Sequence, residues 1–322
     1  MPLQQRTFKT HENSYGYRPL KGAKQALEQV RKNCLRVDWV IDLDISKFFD
    51  EIDQELLMKA VEHMVEEKWV RMYVKRWLEM KVEDKEGKQH DRQGKGTPQG
   101  GVISPLLANI FLHFTLDKWL NINYPQTCFV RYADDVIVHC ETKQQSEDIL
   151  KAIKERLEEV KLRLNEKKSK IVYCKDYRRK ENHEHVQFGF LGFSYQPRKT
   201  KRKQDNHSFT GFTAEISKEN QKRIRDEIKD SMNWRDTTME ITAIADKLNS
   251  KLRGWINYYG VYGKRALRKT LLYLDYRLVK WLKNKHKIAG IRKAGNLFVL
   301  TMKQNPMLFV HWQKKYCWSY SK

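Results

Sequence analysis

Apolar residues recur along this chain at two different spacings, and the alternation between them outlines the elements. Ala26, Leu27, Val30 and Cys34 fall three and four apart, which predicts a helix over 23–36. The same period runs through 54–65 and 68–80, both amphipathic. Residues 104–120, SPLLANIFLHFTLDKWL, are apolar nearly all round and predict one buried helix, opened by Ser104 and Pro105 as N-cap and first turn. Residues 146–162 predict an amphipathic helix with a cap at Ser146 and acids in its first turn. Short β-branched and aromatic runs stand between these helices. Trp39–Leu43 reads as one strand, Phe129 to Cys140 as a tight hairpin, and SKIVYC (169–174) and VQFGFLGFSY (186–195) as further strands. The stretch 83–96 is polar and turn-rich. Beyond a basic, polar break at 196–208 the pattern is helical again, over 217–231, 238–260 and 264–286. This order predicts an α+β domain followed by an all-helical one.

Charge separates the two parts. Residues 1–150 hold 22 Lys/Arg against 23 Asp/Glu, and residues 151–322 hold 41 against 17. Within the second part, 247–322 carries 18 basic residues and one acid, Asp275. Charge so one-sided cannot pair internally, and a polyphosphate backbone is its commonest external partner. Interleaved Trp and Tyr favour nucleic acid over a merely solvated face. The charges fall on no clean amphipathic helix, which counts against an anionic membrane. No apolar run is long enough to span a bilayer, and the first residues contain no apolar signal core. The five cysteines, odd in number and without a C-x-x-C, read as reduced thiols of a protein that stays where it is made.

The candidate chemistry starts at FVRYADDVIVHC, residues 129–140, where Asp134 and Asp135 sit side by side between strand formers. A turn needs only one such residue. Two carboxylates on a half-buried hairpin repel each other and lose hydration, and nothing basic lies in the turn itself. A plain turn and a divalent-cation site are both open at this point. Asp44 ends the strand Trp39–Leu43 and opens DISKFFD. If strand and hairpin lie side by side in one sheet, Asp44 and Asp134 meet at one end with Asp135 beside them. Such a hard-oxygen set suits Mg²⁺, or Mn²⁺. Two ions ~4 Å apart clamp the attacking and leaving oxygens of an in-line phosphoryl transfer.

YADD, DISKFFD and GKGTPQGGVISPLLANIFLHFTLD (94–117) together resemble a reverse transcriptase. With SYGYRPLKGAKQAL (14–27), LRLNEKKSKIVY (162–173), FGFLGFSY (188–195) and LRGWINYYG (252–260), the chain resembles a bacterial group II intron-encoded reverse transcriptase and maturase, in unbroken order from about Ser14 to about Lys287. The resemblance implies a right-hand polymerase palm with partial fingers over 1–195, a basic linker at 196–208, a helical thumb or maturase (X) domain over 209–287 and a basic tail over 288–322. It implies RNA-directed DNA synthesis, with dNTPs added to a DNA primer on an RNA template, and binding of intron RNA in splicing and retrohoming. Asp44, Asp134 and Asp135 would hold two Mg²⁺ ions. Ile45 would lie beside the triphosphate, Phe49 under the sugar, and Gln99 and Gly100 at the template–nucleotide pair. Lys168 would stand near the leaving pyrophosphate and Arg18 would supply further charge. Arg253, Lys264, Arg265, Arg268 and Lys269 are the expected RNA contacts. The stripe Leu248, Leu252, Trp255, Ile256 and Tyr259 reads as core rather than as a stacking surface.

The family pattern also implies a bacterial cytoplasmic protein, nucleoid-associated at its target. Two departures shape the expectation. Only thirteen residues precede Ser14, where the family has further fingers segments, so the expectation is either a fragment of a longer coding region or a missing part that comes as another chain, with a homodimer as a further candidate partner. No zinc-type Cys framework of an HNH endonuclease follows Lys287, and His183 and His185 read as loop residues. The alternative from another class is a polymerase-inactive, RNA-binding splicing cofactor, or one half of a split enzyme. A retron-type or diversity-generating enzyme fits the GWINYY block less well, and an RNA-dependent RNA polymerase fits Phe49 least.

Overall fold

The five residues of β1 (Trp39–Leu43) send alternate side chains into two different covers. In the computed structural model, which describes residues 11–83, 87, 89–97, 101–201 and 204–318, β1 is a central strand of a four-stranded antiparallel sheet. The sheet order is β4 (Cys128–Tyr132), β5 (Asp135–Cys140), β1, β6 (Lys170–Tyr173). Trp39, Ile41 and Leu43 share one face with Phe129, Val136, Val138 and Cys140. That face packs on α3 (Gln54–Met64), α4 (Lys68–Glu79), α5 (Ser104–Leu112) and α7 (Lys143–Glu159) in one continuous core. Val40, Val130, Ile137 and Val172 point to the other face, where α1 (Ala23–Cys34) covers β4 and β5 with Ala26, Leu27 and Val30. A short helix, α2 (Phe48–Glu51), follows β1, and a small hairpin pairs β2 (Val82–Glu83) with β3 (Gln89–His90).

The helix expected over 104–120 is interrupted. After α5 the chain makes a π-helical turn, His113–Asp117, before α6 (Lys118–Asn123). A π turn is a rare and costly local geometry, and apolar periodicity carries no sign of it. The helix expected from Ser146 begins earlier, because the Thr142 side chain accepts from the Gln145 amide and forms the cap, while Ser146 is buried inside the first turn.

The chain divides into two compact units, residues 1–191 with 196–213 and residues 192–195 with 214–322. Residues 196–208 differ from the expected linker. β8 runs Phe193–Lys201 and β9 Ser208–Ile216, and with β7 (Phe188–Phe190) they form a three-stranded sheet. The unbroken polar run QPRKTK at 196–201 has no apolar alternation, which gave that stretch the look of a loop. The second unit is helical: α8 (Lys218–Asp230), α9 (Ile241–Tyr259), α10 (Lys264–Lys285), α11 (Ile291–Gln304) and α12 (Val310–Gln313). Residues 288–318 are therefore no extended tail. Phe298, Phe309 and Trp312 are buried, and Asp275, on α10, accepts from the Trp312 indole and the Trp318 amide and pairs with His311 at 2.8 Å. The single acid of 247–322 thus ties the end of the chain to α10. The stripe Leu248, Leu252, Trp255, Ile256 and Tyr259 is buried, as its spacing implies.

Candidate active site

Asp44 sits where β1 runs out, and a loop from the far side of the sheet grips it. The Asn165 amide donates to the Asp44 carbonyl at 2.9 Å, and the Asn165 side chain donates to its carboxylate at 2.8 Å. The Asp44 amide donates to the Ser169 hydroxyl at 3.0 Å. Lys168 Nζ lies 3.5 Å from Asp44 Oδ1, on a side chain that is 68% exposed. Ile45 bridges Leu164, and the Ser46 amide bonds the Arg163 carbonyl, so the strand continues as an irregular edge past the carboxylate.

The sheet register brings the double aspartate to the same end. Leu43 pairs with Val136 at the end of the register, so Asp44 and Asp135, the next residue on each strand, come to the same end of the sheet. β4 and β5 are joined by a two-residue turn, Ala133 and Asp134, closed by the Tyr132–Asp135 pair. Burial raises the Asp134 carboxyl above its usual range, and the Asp44 charge adds to the shift. Burial, then Asp134, then Asp44, push Asp135 up to about 6. A fourth carboxylate lies on this face. Asp42, two residues before Asp44 on β1, is pushed up to about 7 by burial, against Lys170 and with Asp135 and Asp44. The spelling DLD (42–44) places Asp42 and Asp44 on one side of a strand by period 2 alone, so that signal was present in the sequence.

Among the described residues, no three His, Cys, Asp or Glu side chains close into a ready-made metal cage. The donor set nonetheless fits a hard divalent cation. It is all carboxylate oxygen, and the Asp44 charge adds to the raised carboxyls of both Asp134 and Asp135, so a positive charge among them is favoured. Mg²⁺ in particular is bound through one or two carboxylates plus water and phosphate oxygens rather than by an all-protein cage.

Beneath the turn lies a polar cluster in the core. Arg131 is fully buried. Its Nε and Nη2 donate to the two oxygens of Asp117 at 2.7 and 2.6 Å, and its Nη1 donates to Asn109 at 2.7 Å and to the Ala133 carbonyl at 2.9 Å. Burial would raise the Asp117 carboxyl, but Arg131 outweighs it and holds Asp117 below the usual range. Asn109 donates onward to the Gly16 carbonyl at 2.8 Å. Gly16 lies so close that a Cβ there would stand 2.5 Å from the Ala133 nitrogen. Arg18 borders this cluster. Burial and the Arg131 charge lower its pKa to about 10, with Asp117 opposing, and its guanidinium bonds the His11 carbonyl.

The family model described as "Reverse transcriptase (RNA-dependent DNA polymerase)" matches residues 2–213. The chain belongs to the reverse transcriptase family. The model for the "Group II intron, maturase-specific domain" matches residues 221–297. The chain is 32% identical over 204 residues to protein YkfC of Escherichia coli, covering 52% of this chain and 53% of that protein. It is 26% identical to the group II intron-encoded protein LtrA of Lactococcus lactis, covering 85% of this chain and 57% of LtrA. The chain spans about half the length of these curated relatives. The solved telomerase of Candida albicans, with a fragment of telomeric RNA, superposes with a TM-score of 0.47 at 13% identity over 94% of this chain and 53% of that one.

The other residues expected in a reverse transcriptase site are placed as follows. Phe48 is buried in the core, and Phe49, its ring 5.3 Å away, is only half-buried. The Thr97 amide bonds the Phe49 carbonyl at 2.8 Å, and the Gly96 amide bonds that of Ile52 at 2.7 Å. Gly96 has φ +73°, and a Cβ there would meet the Asp50 carbonyl at 2.8 Å, so only glycine lets this strand of chain lie against α2. Gln99 and Gly100, just beyond Thr97, lie outside the described residues. In the maturase-specific domain, Arg253, Lys264, Arg265 and Lys269 are exposed, whereas Arg268 is half-buried and bonds the Cys317 carbonyl at 3.2 Å. Arg131, Asp117, Asn109, Asn165 and Ser169 were not singled out from the sequence. Their one visible signal is an arginine at a strand position otherwise filled by core residues.

Proposed function

We propose that this chain is an RNA-directed DNA polymerase that also binds group II intron RNA. The observation that carries the reading is the register, with Leu43 opposite Val136, that brings Asp44 and Asp135 to one end of the sheet, next to the turn residue Asp134. In this reading the first unit, 1–191 with 196–213, carries the palm and fingers, and the helical unit over 214–322 the thumb or maturase domain. Asp44, Asp134 and Asp135 hold two Mg²⁺ ions, which supply Lewis acidity to the primer 3′-hydroxyl and to the triphosphate. Asn165 and Ser169 keep Asp44 oriented toward that charge. Lys168, beside Asp44, puts a cation where negative charge gathers on the departing pyrophosphate. In this reading Phe49 puts a ring under the incoming sugar, where it excludes a 2′-hydroxyl, so dNTPs are favoured over rNTPs. Arg253, Lys264, Arg265 and Lys269 offer exposed charge to RNA phosphates. Arg268 is the weakest of the five candidates for that role, because Cys317 already holds it.

Primer extension on an RNA template with Mg²⁺ tests this reading. The parent is expected to extend with dNTPs and poorly with rNTPs, and Phe49→Ala to narrow that preference by at least about tenfold. Equal use of both by the parent would remove the role of Phe49. No extension, alongside tight RNA binding, would leave an RNA-binding splicing cofactor.

A further inference from the structure

Ala133 is an unusual residue on which to hang two catalytic carboxylates. Its φ is +56°, a region that disfavours any side chain and where hairpins commonly use Gly or Asn. A strained turn persists only when its surroundings over-determine it. Two neighbours do so here. The Gly16 backbone presses on the Ala133 nitrogen, and Arg131 Nη1 donates to the Ala133 carbonyl from below. Arg131 is itself fixed on every side. Its backbone amide donates to the Asn13 carbonyl at 2.9 Å, and its carbonyl accepts from Tyr15 at 2.8 Å. Its guanidinium spends Nε and Nη2 on Asp117 and shares Nη1 between Asn109 and Ala133. Asp117 reaches it from the π turn, His113–Asp117.

Stability alone gives no reason for this arrangement. Burying an ion pair recovers little net free energy, and apolar residues of similar volume often do as well or better. A guanidinium offers what an apolar filler or a lysine does not: a rigid fork that bonds two carboxylate oxygens and two further acceptors at fixed angles.

We propose that Arg131 is a positioning residue: its guanidinium, anchored in the interior by Asp117 and Asn109, pins the Ala133 carbonyl and so fixes the turn that presents Asp134 and Asp135 beside Asp44. The proposal rests on the cation site described under the proposed function. It assigns the π turn a purpose, which is to bring Asp117 under the hairpin.

The test is a titration of the full chain with Mn²⁺ alone, without nucleic acid, followed by EPR of the free ion, with thermal melting recorded for each protein. Asp134→Asn identifies the ions that belong to the carboxylates. Two variants probe Arg131. In the paired variant Arg131→Met, Asp117→Leu both charges leave together, so no lone charge is buried. In Arg131→Lys the charge stays and the fork is lost. Positioning predicts melting close to that of the parent and Mn²⁺ binding weakened roughly tenfold in both, the size seen when partners behind metal ligands are removed. A role in folding alone predicts that any variant that folds binds Mn²⁺ within about twofold of the parent, and that result overturns the proposal. If the paired variant does not fold, Arg131→Lys decides by the same criterion. A parent that binds Mn²⁺ at the carboxylates but extends no primer defeats the polymerase reading and leaves this comparison intact. A parent that binds no Mn²⁺ there defeats both.

Discussion

At the scale of single residues the fold holds several carboxylates against their own charge. Asp42, half-buried, is pushed up to about 7, first by burial. A carboxyl raised in the folded state favours the protonated native form. Its contribution to stability is complete below the ordinary value of about 3.8 and is lost as pH rises through the folded value. In metal-free buffer, melting temperature is therefore expected to fall from about pH 4 to about pH 7.5. Asp42→Asn should flatten that fall, gaining on the order of 1–2 kcal/mol at pH 8 and nothing at pH 4. Urea melts at the two pH values check this, and an equal effect at both would contradict the account. Asp44→Asn should cut primer extension by about 10³-fold or more, since several kcal/mol of charge stabilisation go with a metal ligand. Asp44, Asp134 and Asp135 were legible because hydrophilic residues interrupt strands at recognisable places. Arg131 and Asp117 were not, since the partnership joins positions 14 apart across a π turn that leaves no mark on the apolar pattern.

At the scale of elements, period and propensity located most helices and strands, and they failed where a local device intervened. The π turn breaks the 104–120 helix, Thr142 takes the cap expected at Ser146, and β8 and β9 occupy a stretch that polar composition marked as a break. Helix α11 escaped for a related reason. The sequence expectation treated 288–322 as one basic tail, although Ala294 and Phe298 lie four apart on the buried side of this helix. The most exacting contact between elements is that of Gly16 with the hairpin. Gly16→Ala would force a Cβ to 2.5 Å from a backbone nitrogen that has no room to withdraw. The expected loss is about 1–3 kcal/mol of stability by chemical denaturation. It should be accompanied by a higher Mg²⁺ requirement in primer extension, and a variant unchanged in both would show that the turn is not held from this side.

For the whole molecule, charge asymmetry was the feature read most directly from sequence, with 41 basic residues against 17 acidic ones in 151–322. Composition alone does not say which of these cations serve the fold. Removing the exposed Arg253, Lys264, Arg265 and Lys269 together should reduce the salt dependence of RNA binding by about 3 in log–log slope, if each neutralises one phosphate. Arg268→Ala should instead show mainly as lost stability, because its guanidinium holds the Cys317 carbonyl. Filter binding at several salt concentrations separates the two. The central claim is that the carboxylates at the end of the sheet carry out metal-dependent DNA synthesis on RNA. Its most direct test is primer extension on an RNA template with dNTPs and Mg²⁺, comparing the parent with an Asp134→Ala, Asp135→Ala variant while RNA binding by both is recorded. The account predicts extension by the parent alone and equal RNA binding by the two. Extension by both, or by neither while both bind RNA, would contradict it.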